Sequence, residues 1–258
     1  MTEPDTEWRP VDGGTMTDVW TDGRRIRRPL RPWSPAVHQL LGRIEERDVP
    51  EVPRLLQVTR THEILTRLPG QSVQRPWPEP LQSIDWLAQV GRWLRQLHDA
   101  LRGFQLDAET MFVWGPREPA PDHVVNHGDL GPWNMLVDEG VFSGVIDWDL
   151  ARFGAPVDDL AEVAFELGPL RENRNMLADP ANEERVLARV EALCDGYGGV
   201  SSGRVLDRVV PMFEGRIDEM NRLAENGDAP FGELVDRGTV EALRRDLDFA
   251  RRRYSRLK

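Results

Sequence analysis

Residues 127–134 read HGDLGPWN and residues 145–149 read VIDWD. The first stretch is a loop rich in Gly and Pro that carries Asp129 and Asn134, and the second is a hydrophobic strand end that carries Asp147. The Asp-Glu-Gly turn between them folds the chain back, so that Asp147 returns beside Asn134. We therefore expect these three polar side chains to meet at one edge of a hairpin.

This set of side chains suits phosphoryl transfer. The reaction needs an aligned hydroxyl, a group that takes its proton, and Mg²⁺ spread across the phosphates. Mg²⁺ prefers oxygen ligands from carboxylates, amides and water. One carboxylate, one amide and a second carboxylate, held close together, meet that demand.

The two stretches resemble the catalytic loop and the metal-binding loop of the aminoglycoside phosphotransferase and choline kinase group, which are relatives of protein kinases. The pattern of that group is His-Gly-Asp, four residues, Asn, then a hydrophobic pair and Asp, and every position is matched. The resemblance implies transfer of the γ-phosphate of ATP to a hydroxyl of a small molecule. Asp129 would then be the base, and Asn134 and Asp147 would bind Mg²⁺.

The resemblance extends to other parts of the chain. It implies that Asp159 braces the catalytic loop and that His127 bonds backbone groups of the loop rather than acting in catalysis. Asp149 could face the metal or the substrate, or cap the next segment. Nucleotide contacts are implied for two segments. One is a glycine-rich loop with Gly13, Gly14 and Thr15. The other is a hinge beside the adenine with Thr66, Arg67 and Leu68.

Two departures from the group concern the phosphates. The strand after the Asp-Gly turn should carry a lysine, but the only lysine is Lys258. Because a cation one residue past the apolar Ile26 fits the pattern, we assign this role to Arg27, whose guanidinium can bind phosphate bidentately. The following helix often carries a glutamate that pairs with the cation. That position falls at Val37 or His38, neither of which is acidic.

Hydrophobic periodicity predicts the architecture. The Asp22-Gly23 hairpin, a helix capped by Ser34 and two further strands fill the first part of the chain, and helical patterns dominate the rest. The fold class is therefore α+β, a protein-kinase-like fold of two lobes. A small antiparallel sheet with one helix forms a nucleotide-binding lobe, residues 1–68. A larger, mainly helical catalytic and substrate-binding lobe follows, residues 69–258.

Composition sets limits on partners and location. The chain has 258 residues and a formal net charge of −11, which argues against a nucleic-acid partner and fits a cationic acceptor, or solubility alone. No apolar run is long enough to span a bilayer, so no membrane partner is expected. The polar N-terminus does not resemble a signal peptide, and the single cysteine, Cys194, favours a cytoplasmic location.

Three hypotheses remain at this stage. The first is a small-molecule kinase whose acceptor is aminoglycoside-like, or another amino alcohol or sugar metabolite. The second is a nucleotide-binding pseudokinase with a regulatory role, motivated by the missing lysine and helix glutamate. The third, a protein kinase, ranks last because the chain is short.

The acceptor, the choice of ATP or GTP and the oligomeric state do not follow from the sequence. Glu214, Asp218 and Glu219 could line a pocket for a cationic acceptor or form a solvated helix face.

Overall fold

The computed structural model describes residues 7–11, 18–73, 77, 81, 83–168, 170–171 and 183–254. The strands within these ranges are β1 (Arg9–Pro10), β2 (Trp20–Thr21), β3 (Arg25–Pro29), β4 (Leu55–Val58), β5 (His62–Thr66), β6 (Gln71–Ser72), β7 (Val124–Asn126), β8 (Met135–Asp138), β9 (Val141–Val145) and β10 (Arg152–Gly154). The helices are α1 (Ser34–Glu46), α2 (Ile84–Ala100), α3 (Pro156–Leu167), α4 (Glu183–Tyr197), α5 (Ser202–Glu225), α6 (Ala229–Asp236) and α7 (Thr239–Tyr254).

The first part of the chain forms an antiparallel sheet with the order β1-β2-β3-β5-β4. The predicted hairpin between β2 and β3 is present. Gly23 adopts φ 93°, and Asp22 Oδ1 accepts the backbone N–H groups of Arg24 and Arg25. The cap prediction for α1 was wrong by one position. Ser34 is the first helical residue, and its hydroxyl accepts the N–H of Arg31 instead of capping the helix.

The second part combines helices with two small sheets. One sheet has the order β6-β8-β9, and the other pairs β7 with β10. The β8–β9 hairpin lies where the sequence predicted it, and it is covered by α2 through ring contacts of Trp86 and Trp93 with Phe142. Trp93 also lies against the buried ring of Trp148, so this part of the core reaches directly beneath the loops at the hairpin edge.

The predicted α+β, kinase-like fold class is confirmed. A small antiparallel sheet with one helix precedes a mainly helical part. The predicted boundary after Leu68 lies in the connection between β5 and β6, and it stays a prediction. Across the described ranges, none of the helices combines the length and the apolar character that crossing a bilayer requires. The cytoplasmic location predicted from the single cysteine stays a prediction.

Candidate active site

A buried carboxylate on α3 holds the loop that follows β7. Both oxygens of Asp159 accept the backbone N–H of His127, at 3.2 Å each. Asp159 also lies 3.1 Å from Nε2 of His98 on α2, and Nδ1 of His98 lies 3.0 Å from the Tyr197 hydroxyl on α4. Burial acts to raise the pKa of Asp159, but the His98 hydrogen bond and the nearby imidazoles outweigh burial and lower it. Asp159 thus lies where it can support the loop that follows β7.

His127 joins the same loop to the hairpin behind it. Its buried ring accepts the backbone N–H of Asp129 at Nδ1, at 3.2 Å, and its Nε2 lies 3.1 Å from the carbonyl oxygen of Ile146. Nε2 therefore carries the proton, and burial lowers the pKa of the imidazole. Gly128 between them adopts φ 83°, and a Cβ there would lie 2.0 Å from the carbonyl oxygen of Leu150, so only glycine fits.

Asp129 has one carboxylate oxygen fixed and the other free. Oδ2 accepts hydrogen bonds from Nε1 of Trp133 at 3.1 Å and from Nδ2 of Asn134 at 2.8 Å. No described residue donates a hydrogen bond to Oδ1. Burial and the charge of Glu162 raise the pKa of Asp129 to about 7, against the opposing effects of Arg216 and the Trp133 hydrogen bond. Near neutral pH this carboxylate can both accept and release a proton.

Asn134 and Asp147 lie at the edge of the hairpin, as predicted. The backbone N–H of Ile146 donates to the carbonyl oxygen of Asn134 at 2.9 Å, which fixes the two loops side by side. Nδ2 of Asn134 donates twice to Asp129, and its side-chain oxygen accepts no hydrogen bond from a described residue. Asp147 adopts φ 65°, and its carboxylate is 53% exposed. A non-glycine residue in this conformation is strained by roughly 1–3 kcal/mol, which is typical of functional positions.

These oxygens fit a divalent cation that a nucleotide also binds. The described residues contain no cluster of three or more His, Cys, Asp or Glu side chains able to hold a metal by themselves. Mg²⁺, however, is commonly bound by one or two protein carboxylates together with substrate phosphates and water. The free oxygen of Asn134 and the exposed carboxylate of Asp147 match that mode of binding.

A buried arginine on β3 faces the same edge. Arg28 donates through Nε to Glu63, and its Nη1 and Nη2 lie 3.2 Å from Asp147 and 2.8 Å from Asp149. Burial works against the cation, but the charges of the three acids outweigh burial and raise the pKa of Arg28. Burial also raises the pKa of Asp149 to about 6, although the charge of Arg28 opposes the rise. Asp149 is thus joined to Asp147 through Arg28, which contacts both carboxylates.

The acidic partner of this cation comes from a strand, not from α1. Glu63 lies on β5, directly opposite Arg28 on β3. Its second carboxylate oxygen bonds Nε2 of His38, one of the two positions on α1 where the family pattern would place a glutamate. The bonds from His38 and Arg28 hold the pKa of Glu63 below its ordinary value despite burial. The helix therefore lacks its glutamate, as the sequence indicated, while the cation has a carboxylate.

The arginine assigned to the phosphates in the sequence lies elsewhere. The Arg27 guanidinium stacks on Trp8 and Trp20, 5.0 and 4.9 Å from the ring centroids, and not beside Asp147. Its phosphate contact stays a prediction, and Arg28 is the cation that the structure brings to the cluster. The predicted glycine-rich loop, with Gly13, Gly14 and Thr15, lies outside the described residues.

The predicted hinge residues connect the two sheets. Thr66 ends β5, and its hydroxyl oxygen accepts the backbone N–H of Arg54 at 2.8 Å. The backbone N–H of Arg67 donates to the carbonyl oxygen of Arg24 at 3.0 Å. The side chain of Leu68 lies against Gly144 on β9, where a Cβ would meet it at 2.5 Å. Contact of these residues with an adenine stays a prediction.

A second group of charged side chains lies near Asp129, and the sequence analysis missed it. Arg216 on α5 donates through Nη1 to Glu162 on α3 at 2.5 Å, and both side chains are buried. The guanidinium groups of Arg216 and Arg152 both lie over the indole ring of Trp114, 5.6 and 5.3 Å from its centroid. Arginine on an amphipathic helix usually faces water, so the sequence carried no signal for a buried Arg216.

Comparison with known proteins agrees with this geometry. Residues 101–201 match the phosphotransferase enzyme family. The chain is 31% identical over 197 residues to a trifolitoxin immunity protein from Rhizobium leguminosarum bv. trifolii, which covers 73% of each chain.

Solved structures of low identity show the same fold. A macrolide 2'-phosphotransferase from Brachybacterium faecium has a TM-score of 0.61 and 19% identity, and the match covers 93% of each chain. An amicoumacin kinase in complex with AMP-PNP and Ca²⁺ has a TM-score of 0.66 and 10% identity, over 98% of this chain and 89% of that one. The family resemblance of residues 127–134 and 145–149 is thus confirmed, and the chain belongs to the phosphotransferase enzyme family.

Proposed function

We propose that this kinase-like phosphotransferase moves the γ-phosphate of ATP to a hydroxyl of a small molecule, with Asp129 as the base. The observation that carries the proposal is the carboxylate of Asp129. One of its oxygens is fixed by Trp133 and Asn134, and the other takes no hydrogen bond from a described residue. A free oxygen on an oriented carboxylate is what a substrate hydroxyl needs as a proton acceptor.

The nucleotide side of the proposal rests on Arg28, Asn134 and Asp147. Asn134 and Asp147 would hold Mg²⁺, which would offset the charge of the phosphates during transfer. Arg28, now bonded to Asp147 and Asp149, is the buried cation at this edge and would bind phosphate oxygens. The amicoumacin kinase of the same fold was solved with AMP-PNP and Ca²⁺, which supports a nucleotide with a divalent cation here.

Transfer then requires little covalent chemistry of the protein. The acceptor oxygen forms a bond to the γ-phosphorus, and the bond between that phosphorus and the β–γ bridging oxygen breaks. The acceptor proton passes to Oδ1 of Asp129, and ADP leaves. Since burial raises the pKa of Asp129 to about 7, the carboxylate is a better base than an exposed aspartate.

The acceptor is proposed only by class. The solved structures of this fold include enzymes named for a macrolide and for amicoumacin, so the fold serves varied small molecules. An aminoglycoside-like compound, an amino alcohol or a sugar metabolite fits the predicted class, and the net charge of −11 suits a cationic one. Glu214 pairs with Arg251, and Asp218 is exposed, so these two acids fit a solvated helix face better than a pocket.

A pseudokinase is the alternative. It was motivated by the absence of a phosphate-binding lysine and of the helix glutamate. Arg28 and Glu63 supply a cation and a carboxylate by another route, which weakens that motive. A protein that only binds nucleotide has no need of the oriented Asp129.

The test is transfer of labelled phosphate from ATP to a panel of aminoglycosides, amino alcohols and sugars. We expect transfer that stops when EDTA removes Mg²⁺ and returns with excess Mg²⁺. Asp129→Asn should lower kcat by about 10²- to 10⁴-fold with little change in nucleotide affinity. The exposed Asp236→Asn on α6 is the matched control and should keep full activity. Nucleotide binding that needs Mg²⁺, without turnover on any acceptor, would favour the pseudokinase.

A further inference from the structure

Arg152 is a cation that has no acidic partner among the residues that the structure describes. It begins β10 and is partly exposed, and its guanidinium makes no hydrogen bond or ion pair with any described residue. The guanidinium lies over the indole ring of Trp114, 5.3 Å from the ring centroid. A half-buried charge that is left unpaired is unfavourable, because burial removes hydration without replacing it.

The stacking gives Arg152 a fixed orientation. Nε1 of Trp114 donates to the carbonyl oxygen of Leu150 at 2.7 Å, so the ring cannot turn away from β10. On the other side, a Cβ at Gly115 would lie 3.0 Å from Cβ of Arg152, so the absence of a side chain there makes room for the arginine. A guanidinium that lies over an aromatic ring can keep N–H groups available for an anion.

The acids around Arg152 are bound by other groups. Glu162 pairs with Arg216, and Asp158 pairs with Arg208. Asp159 is held by His98 and by the backbone of His127, and Glu219 pairs with Arg222.

Arg216 is a second positive charge beside Trp114. Burial, reinforced by the nearby charge of Arg216, lowers the pKa of Arg152 to about 10, so Arg152 stays cationic at neutral pH. The charge of Arg216 also reaches Asp129. Glu162, Asp158 and Asp159 act on Arg152 from a distance, but each of them is already paired with another group.

Arg152 lies on the strand that pairs with the segment leading to Asp129. Its strand β10 pairs with β7, with Arg152 opposite Asn126, three residues before Asp129. Arg28, in contrast, contacts Asp147 and Asp149 on the proposed nucleotide side. A ligand anion at Arg152 would therefore belong to the acceptor rather than to ATP.

We propose that Arg152 binds an acidic group, a carboxylate or a phosphate, of the acceptor molecule. This inference rests on the proposed function for the identity of its ligand as an acceptor. It narrows the acceptor class to hydroxyl compounds that carry an acid, with or without an amino group. The guanidinium edge would take two acid oxygens, while the stack on Trp114 fixes their direction.

The binding test uses matched sets of hydroxyl compounds that differ in one group: a carboxylate, a phosphate monoester, or a neutral amide. The protein is first saturated with Mg²⁺ and AMP-PNP, so that Arg28 does not bind the test anions, and affinity is read by calorimetry. We expect one acidic form to bind about 10- to 100-fold more tightly than the amide. Comparing carboxylate with phosphate identifies the group.

Three variants locate the effect. Arg152→Met should remove the preference for the acid, and Arg152→Lys should retain part of it, which also guards against misfolding. Arg245→Met, on the exposed side of α7, is the matched control and should leave the preference intact. Acids and amides that bind equally to the unmodified protein, no measurable binding of any acid, or a preference that survives Arg152→Met would each overturn the inference.

Transfer from ATP is measured separately, so that the two proposals fail separately. Acids that bind through Arg152 but never receive phosphate would count against the proposed function and leave the anion site standing. Transfer to neutral acceptors, with no advantage for acids, would leave the proposed function standing and remove the anion site.

Discussion

Arg28 and Arg27 are neighbours on β3 whose side chains face opposite sides of the sheet, as successive residues of a strand do. Arg27 stacks on Trp8 and Trp20, whereas Arg28 lies 3.2 Å from Asp147. If Asp147 holds Mg²⁺ beside the triphosphate, Arg28 is the cation within reach of the phosphate oxygens.

We therefore expect Arg28→Met to weaken binding of AMP-PNP with Mg²⁺ by about 10- to 100-fold, because a charge-assisted hydrogen bond is lost. Arg27→Met removes the same charge from the same strand and should change affinity by less than about 3-fold. Calorimetric titration of both variants decides between them. A larger loss for Arg27→Met would restore the assignment made from the sequence and leave Arg28 as a structural residue.

The sequence could predict that Asp129, Asn134 and Asp147 meet, because they lie close together in the chain and in a fixed pattern. It could not predict which arginine of β3 lies beside Asp147. A shift of one residue along a strand exchanges its two faces. Because arginines flank Ile26 on both sides, the order of residues in this strand does not define which face is buried. The charged residues beside Trp114 were missed for another reason. Arg152 and Arg216 are distant in sequence and meet only through the packing of Trp114.

At the scale of elements, the crossing of α2 and α4 supports the catalytic loop. A Cβ at Gly91 on α2 would lie 2.2 Å from the carbonyl oxygen of Leu193, and a Cβ at Gly196 on α4 would lie 2.2 Å from that of Ala88. The two backbones therefore touch. This close approach brings the Tyr197 hydroxyl to His98, which in turn bonds Asp159 beneath the loop.

Gly91→Ala should force the helices apart, and we expect it to lower the free energy of unfolding by about 1–3 kcal/mol, as overpacking does. Gly215→Ala on α5 is the matched control, since a Cβ there meets nothing within 4 Å. It should raise stability by up to about 1 kcal/mol through helix propensity. Urea unfolding of both variants measures the difference. An equal effect of the two substitutions would show that the crossing tolerates a methyl group.

Elements with a clear period could be predicted from the sequence, and their partners could not. The helix that begins near Ser34 and the β8–β9 hairpin both form where the pattern indicated. The acid that pairs with Arg28 was sought on α1, because the family resemblance links that helix to the cation. Glu63 supplies it from β5 instead, through a strand register that joins residues 28 and 63. Registers between strands far apart in sequence leave no local signal.

At the scale of the whole molecule, net charge does not describe the charge of the site. The chain carries −11, yet Arg28, Arg152 and Arg216 lie around the loop and hairpin that hold Asp129 and Asp147. The expectation of a cationic acceptor was drawn from net charge, and it therefore rests on a property of the outer surface. The acceptor meets the local field, to which Arg152 and Arg216 beside Trp114 contribute positive charge.

The partly buried Asp129 also makes stability depend on pH in a definite direction. The pKa of Asp129 is about 7 in the folded protein and 3.8 ordinarily, so the folded state holds the proton more tightly. This contributes stability that is complete below pH 3.8 and is lost as pH rises through 7.

Asp129→Asn cannot ionise, so its stability relative to the unmodified protein should increase by about 1–3 kcal/mol between pH 5 and pH 8. Urea unfolding in EDTA at the two pH values measures this change, and comparison of the same two proteins at pH 5 is the internal control for any effect of the amide itself. The variant that loses transfer would then be the more stable protein at pH 8, because the site keeps a carboxylate where solvation is poor. A difference that stays constant from pH 5 to pH 8 would mean that Asp129 ionises in the folded protein as it does in water, and that its basicity is not raised for catalysis.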